Sequence, residues 1–438
     1  MTIDVARILQ RVRSREVNRD FLPAHLLDVR DRTRTNALPW RGQFTPGLAE
    51  LMLDTYDTHT GLIFDPFVGS GTTLIEAIRR GRTSVGVEVN PAAVTLARIF
   101  ELASLSVQQR AALLQQVRRL INMEFATFTD GFFADAHVDD RPAHQKILDL
   151  ISTTSPSVAT LFHPAVLLSM GDAKETDSYR ILKAWDNIER LVSQMPRGIV
   201  NCDVLLGDAR ATPLADDVVG TVLTSPPYIN VFNYHQNYRP AIELLGWEVL
   251  PAARGEIGSN RKHRGNRFLT VIQYVQDMTL AVSEMLRVCR DGANVVLVVG
   301  RESRVRGVAF ANGEILSVIA ESLPGLSFVR WQERQFTNRF GLRIFEEVLT
   351  FNVSKSPPHA GPVANPEKFG RELGTILLEE ALAEADAEDV AKDLRSAISG
   401  ASTVMPSPQV HLSKRGYKPI NEVSGRNYIL EYQGAAGD

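Results

Sequence analysis

From Leu62 onward the chain alternates short apolar runs with longer segments of helical period. Leu62-Ile63-Phe64 is uniformly apolar and brief, which predicts a buried strand. The turn Asp65-Pro66-Phe67-Val68-Gly69-Ser70-Gly71 follows it. A helix pattern then covers residues 72–80, with Gly81 as its C-terminal stop. Residues 83–89 predict a second strand, and Asn90-Pro91 supplies an N-cap and a first-turn proline for the next helix. Strand, helix, strand, helix in this order marks a parallel sheet covered by helices on both faces.

Residues 101–200 have a different texture, mostly of helical period, with a Ser/Thr/Pro loop expected at 152–157. Strand signals return at 204–206, 221–223, 294–299, 328–334 and 345–351. No internal repeat interrupts this succession. The expected architecture is α/β, a doubly wound and mostly parallel sheet with a helical insertion and a small C-terminal extension. Its parts are a lead-in at 1–60, a core at 61–100 and 201–353, the insertion at 101–200, and an extension at 354–438. The extension holds a Pro/Gly-containing linker at 354–366, an acidic helix and a short tail with Lys414, Arg415 and Lys418.

Composition narrows the function classes. With 438 residues, 44% hydrophobic and 23% charged, the chain is long enough for a sizeable core and is not a largely disordered polymer. Two cysteines, Cys202 and Cys289, exclude a disulfide framework and an all-cysteine zinc site, and the histidines do not cluster at ligand spacing. No metal is expected. Neither a membrane-length apolar run nor a signal-like N-terminus is present, so a soluble cytoplasmic protein is the expectation. The net charge of −3 carries no global basic signature, but charge is segregated. Arg7, Arg11, Arg13, Arg15, Arg19, Arg30, Arg32, Arg34 and Arg41 crowd the lead-in, and Glu379, Glu380, Glu384, Asp386, Glu388 and Asp389 crowd the extension. An arginine-rich helix is most often a solvated face, and a nucleic-acid contact is the sharper alternative.

Four short segments carry chemistry. In DPFVGSGTT, Gly69 and Gly71 let the backbone bend sharply and approach a ligand, and the strand-to-helix setting places the turn at the carboxyl edge of the sheet. It lacks the G-K-[ST] of a phosphate-binding loop, which argues against a nucleoside triphosphate. Glu88 ends the second strand about 20 residues on, where an acid suits ribose hydroxyls. Asp208, in LLGDAR, again follows a strand and is placed to accept from an adenine amino group. Thr224-Ser225-Pro226-Pro227-Tyr228 also follows a strand directly. Its prolines fix the backbone and remove two N–H groups. The Ser225 and Pro226 carbonyls are then acceptors for an exocyclic amino group, and the Tyr228 ring is suited to stack on a base.

Together DPFVGSGTT, VGVEVNP, GDAR and TSPPY resemble the amino-group DNA methyltransferases, which use S-adenosylmethionine; the serine form of the catalytic element is most like the cytosine-N4 branch. The resemblance implies a class I, Rossmann-like methyltransferase fold and direct in-line transfer to the exocyclic N4 of a flipped-out cytosine at a specific site in double-stranded DNA. It assigns Phe44, Thr45, Asp65, Phe67, Gly69, Gly71, Thr72, Glu88 and Asp208 to the cofactor, and Ser225, Pro226, Pro227 and Tyr228 to catalysis. Neither cysteine has the context of a covalent thiolate route. DNA contact is expected from Tyr234, from the basic run with Arg261, Lys262, Arg264 and Arg267, and from Arg339. The 101–200 insertion is a candidate recognition element, and a restriction endonuclease or other defence partner is implied.

This sequence departs from the family in three ways. The glycine block precedes SPPY, the insertion between them is long, and Gly220 stands where an acid is common, with Asp216 and Asp217 nearby. Adenine-N6 transfer is the nearer alternative. An RNA guanine-N2 methyltransferase and a non-catalytic nucleic-acid-binding component are the others.

Overall fold

The computed structural model describes residues 4–30, 34–125, 141–229, 233–259, 263–338, 341–355 and 365–409. Its strands are β1 (Leu62–Asp65), β2 (Ser84–Glu88), β3 (Cys202–Leu206), β4 (Val219–Thr224), β5 (Cys289–Gly300), β6 (Glu302–Val305), β7 (Val308–Ala311), β8 (Leu326–Thr337) and β9 (Arg343–Val353). Seven of them form one sheet in the order β3-β2-β1-β4-β5-β9-β8. All neighbours are parallel except β9, which is antiparallel to both β5 and β8. This is the doubly wound α/β sheet expected, and every strand anticipated in the core is present.

Strand periodicity sorts the core into two layers. Phe64, Val222, Leu297 and Val299 face the helices Leu269–Val288, Asn312–Ser322 and Pro366–Ala383. Ile63, Leu223, Val296 and Val298 face the opposite way, against the Pro46–Tyr56 helix. Both open edges are covered. On β3, the Val204 N–H donates to Glu101 at 2.9 Å and its carbonyl accepts from Arg98. On β8, the Trp331 carbonyl accepts from the Asn18 N–H at 2.7 Å.

The chain between β2 and β3 is helical, as its period suggested. Val107–Phe125, Ala143–Thr153, Pro156–Met170 and Ser178–Ser193 share an apolar cluster with the Pro91–Ala97 helix and with Cys202 and Val204 of β3, around the fully buried Trp185. The loop expected at 152–157 is a correction. Helix runs through Thr153 and resumes at Pro156, because that proline occupies a first-turn position where no N–H is needed. The β6–β7 hairpin was not anticipated, since ESRVRGVAFA is too charged to alternate clearly. Its two-residue turn, Arg306-Gly307, has φ of 50° and 87°, the left-handed pair that matches strand twist.

The arginine-rich lead-in is largely an internal device. Arg13 lies 2.7 Å from both Glu314 and Glu380, Arg11 and Arg15 share Glu321, and Arg34 reaches Glu50 and Glu76. The basic helix and the acidic extension therefore meet each other. Among the described residues no helix is long and apolar enough to cross a membrane, and no His/Cys/Asp/Glu group could hold a metal ion.

Candidate active site

β1 has β2 on one side and β4 on the other, so the sheet order reverses at β1/β4. Doubly wound folds bind ligands at this crevice. A cavity opens there, lined by the lead-in around Trp40, the glycine turn, the end of β2, Asp208, the TSPPY segment and residues 255–257.

The glycine turn is built from its own polar groups. Asp65, at the end of β1, accepts from the Phe67 N–H at 3.1 Å and from the Thr224 hydroxyl at 2.6 Å. The second bond ties the turn to the strand that carries TSPPY. Burial pushes the Asp65 carboxyl up to about 6, against the pull of those donors. Glu88 accepts from the Gly69 N–H at 3.1 Å and the Asn90 N–H at 3.0 Å. Burial raises Glu88 to about 7, the backbone donors offset part of this, and the nearby Glu256 charge adds to it.

Gly69 and Gly71 differ in purpose. Gly69, with φ 51°, lines the cavity under the Trp40 indole; a Cβ there would lie 3.1 Å from that ring. Gly71, with φ 92°, does not line the cavity. A Cβ on it would sit 2.6 Å from the Phe100 ring, so it serves the packing of the following helix.

Of the other expected cofactor residues, Phe44, Phe67, Thr72 and Asp208 line the cavity. Thr45 does not; it is the N-cap of the Pro46–Tyr56 helix, and its buried hydroxyl makes no hydrogen bond. Asp208 is held by Arg210, whose Nε and Nη2 donate to its two oxygens at 2.8 and 2.6 Å.

Ser225 and Pro227 line the same cavity, whereas Pro226 is buried behind them. The Pro227 carbonyl accepts from the Tyr274 hydroxyl at 3.1 Å, which fixes the backbone of the turn. Tyr228 is packed inward. Its ring lies 3.2 Å from where a Gly300 Cβ would be, and burial raises its phenol, with the Glu346 charge adding to the effect. Gly300 is in register with Glu346 on β9, and Glu346 with Arg334 on β8. A half-buried carboxylate and a buried guanidinium, 3.6 Å apart, thus flank the tyrosine.

The residues expected on DNA separate. Tyr234 belongs to the cavity wall, nearly parallel to Trp40 at 6.5 Å between ring centres, and Trp40 stacks in turn on Tyr238. Arg264 is exposed and Arg267 half-buried. Arg261, Lys262 and Arg339 lie outside the described residues, as do Lys414, Arg415 and Lys418. Cys202 and Cys289 are buried, and burial raises both thiols, Cys289 to about 12. Neither lines the cavity. Gly220 has a physical reason: a Cβ would overlap the Thr60 carbonyl oxygen at 1.5 Å, so no acid fits there.

Sequence reasoning missed Trp40, Glu256, His235 in its structural role, and Tyr274. Glu256 lines the cavity, with His235 Nδ1 2.7 Å from its Oε2 in a buried pair. Trp40 stood in view in PWRGQF, beside the Phe44 that was selected; Glu256 and Tyr274 carry no local signal. Asp65, Glu88, Asp208 and Glu256 give the cavity four carboxyl groups against one cation, Arg41, itself 3.4 Å from Asp172. That set of acceptors suits a ligand with cationic groups and hydroxyl donors, as S-adenosylmethionine has, and disfavours a polyphosphate.

Residues 13–98 match the DNA methylase family model. The match spans the lead-in, the glycine turn and Glu88. The type II methyltransferase M.MjaII of Methanocaldococcus jannaschii is 37% identical over 68 residues, 15% of this chain and 13% of the relative. M.ScaI of Streptomyces caespitosus, also a type II methyltransferase, is 43% identical over 47 residues, 11% and 16% of the two chains. The chain thus aligns with less than a fifth of either curated relative. Among solved structures, a SAM-dependent methyltransferase from Methanosarcina mazei is 12% identical with a TM-score of 0.31, covering 69% of this chain and 97% of that one. TrmN from Thermus thermophilus is 14% identical with a TM-score of 0.30, covering 72% and 50%.

Proposed function

We propose that this protein is an S-adenosylmethionine-dependent DNA methyltransferase that modifies an exocyclic amino group, the N4 of a flipped-out cytosine. The observation that carries this reading is the Asp65–Thr224 hydrogen bond, which joins the glycine turn to TSPPY so that both face one cavity. The DNA methylase match over residues 13–98 supports the class, and the serine of SPPY supports cytosine over adenine.

When bound, S-adenosylmethionine supplies an electrophilic methyl group. Glu88 and Asp208 would hold its nucleoside end, Asp65 and the glycine turn its cationic end, and Trp40 and Tyr234 would close over it. The chain's task at the base is orientation. An aromatic amino nitrogen is a poor nucleophile because its lone pair is delocalised into the ring. The Ser225 carbonyl, on the cavity wall, would accept an amino hydrogen and turn the lone pair toward the methyl group, with Pro226 buried behind it as the rigid backing of the turn, so alignment replaces a strong base. Tyr274 keeps the turn in place through the Pro227 carbonyl. Tyr228, packed against Gly300 beside the cavity, would offer its ring as a wall for the base. Extrusion of the base costs about a few kcal/mol, which contacts of this kind offset.

The test is transfer of a labelled methyl group from S-adenosylmethionine to mixed-sequence DNA and RNA in separate reactions, with Ser225→Ala/Tyr228→Ala protein as the blank. Label in DNA, lost with the blank, is expected. Label only in RNA would overturn the substrate class.

A further inference from the structure

Beyond the cavity, a segment nearly 200 residues away in sequence is locked onto one of its walls. The described chain ends in an irregular stretch, residues 404–409, laid across the Leu269–Val288 helix. Side chains from other elements take its carbonyls in turn. Gln276 and Arg371 donate to Val404 at 3.2 and 2.9 Å, and Gln273 donates to Met405 at 2.9 Å. Arg210 donates to Ser407 and Pro408 at 2.5 and 3.2 Å. Ser407 returns the contact, its N–H donating to Asp277 at 2.8 Å and its hydroxyl to the other oxygen of the same carboxylate.

Arg210 is the centre of this arrangement. Its side chain is fully buried, as is that of Asp277, which it meets at 2.5 Å. The remaining edge of the guanidinium chelates both oxygens of Asp208. The fork is planar and rigid, so fixing one edge on Asp277, Ser407 and Pro408 fixes the plane of the carboxylate on the other. Asp208 is the member of this network that reaches the cavity wall. The Ala of GDAR puts Asp208 and Arg210 on one side of a tight turn, in which the Arg210 N–H also donates to Asp208 at 2.9 Å.

We propose that residues 404–409 are a working part of the cofactor site, acting through Arg210 as a positioning residue that sets the orientation of the Asp208 carboxylate. This rests on the reading of the cavity as the cofactor site. Neither Arg210 nor the strap lines the cavity. Their role is to hold Asp208 in the one orientation that meets a ligand donor, so that binding carries no cost of reorienting it.

The experiment is calorimetric titration of S-adenosylhomocysteine into the full chain and into Arg210→Gln, Arg210→Lys, Ser407→Pro, Asp208→Ala and the double variant Ser407→Pro/Asp208→Ala. Arg210→Gln should weaken binding by tenfold or more, and Arg210→Lys should recover part of it. Ser407→Pro, which deletes both Ser407 donors to Asp277 and leaves that of Arg210, should weaken binding severalfold in the native background. It should cost nothing further once Asp208 is alanine, because the coupling runs through that carboxylate. Ser407→Ala is the milder variant, with the same expected pattern at smaller size, if the proline variant does not fold. An equal loss from the Ser407 change in both backgrounds would show a general stabilising role and overturn the proposal. Unchanged affinity in the Ser407 and Arg210 variants would overturn it as well. Absence of binding by the native chain would instead overturn the reading of the cavity.

Discussion

The two halves of the candidate site are assembled by different means. In the glycine turn the polar groups are satisfied by near neighbours: Phe67 by Asp65, Gly71 by Val68, and Gly69 by Glu88 only 19 residues on. In the TSPPY turn the partners are far away: Asp65 for Thr224, Tyr274 for Pro227, and Gly300 under Tyr228. The first is a local structure that a short motif can encode. The second is a junction of several elements, and its shape depends on the whole sheet being in place.

The strongest way to break the local half is at Gly71. A valine there would need a left-handed backbone and would drive its side chain into Phe100, so Gly71→Val should cost about 3 kcal/mol or more. Thermal denaturation should show this as a large fall in Tm. An unchanged Tm would mean that the turn is not held as described.

In the junction half the ring of Tyr228 is expected to matter more than its hydroxyl. Tyr228→Ala removes the wall against Gly300 and should lower kcat on the order of a hundredfold, a loss of the size expected from a misplaced reacting group. Tyr228→Phe keeps the ring and should lose about tenfold or less. Equal losses from the two variants would assign the role to the phenol.

How much could be read from the chain follows the same division. β1, β2, the Asn90 cap and the glycine turn were legible because each residue's reason lies within a few positions. The end of the second strand likewise marked Glu88. Glu256, Tyr274, and the Glu346–Arg334 pair beside Tyr228 were not legible, since only the crossing of β4, β5, β8 and β9 with a distant helix and loop brings them together. The lead-in arginines misled for a related reason. Their partners, Glu314, Glu321 and Glu380, are about 300 or more residues away, so a run of positive charge looked available when most of it was taken.

Titration sharpens the account of the cofactor half. Glu88 and Asp65 hold their protons more tightly in the folded protein, to about 7 and about 6, than in the unfolded chain. The folded state therefore binds more protons between roughly pH 4 and 7, and stability falls as pH rises through that window. The unliganded protein should melt lower at pH 8 than at pH 6. Glu76, Glu101 and Glu347, each raised to about 7 mainly by burial, add to this slope, so Glu88→Gln should remove only a share of it. Affinity for S-adenosylhomocysteine should run the opposite way, rising with pH as the carboxylates ionise, and Glu88→Gln should weaken it roughly tenfold. An affinity independent of pH between 6 and 8 would remove these carboxyls from the ligand's surroundings.

The smallest expected effects separate two kinds of arginine. Arg13→Ala should cost stability, on the order of 1 kcal/mol, with little change in DNA affinity, because its charge is already spent on Glu314 and Glu380. Arg264→Ala, at an exposed position in the basic run, should leave Tm unchanged and reduce the salt dependence of DNA binding by about one ion. Reversed outcomes would return the lead-in to the nucleic-acid surface.

The central claim, that one cavity brings a methyl donor to an exocyclic amine of DNA, is tested most directly by the product. Native protein and a Ser225→Ala/Tyr228→Ala variant would be incubated with labelled S-adenosylmethionine and DNA, and the DNA digested to nucleosides for mass spectrometry. The account predicts N4-methylcytosine with the native protein and none with the variant. N6-methyladenine would keep the site and contradict the assigned base; a methyl group on a ring carbon, or no methylated nucleoside despite cofactor binding, would contradict the account itself.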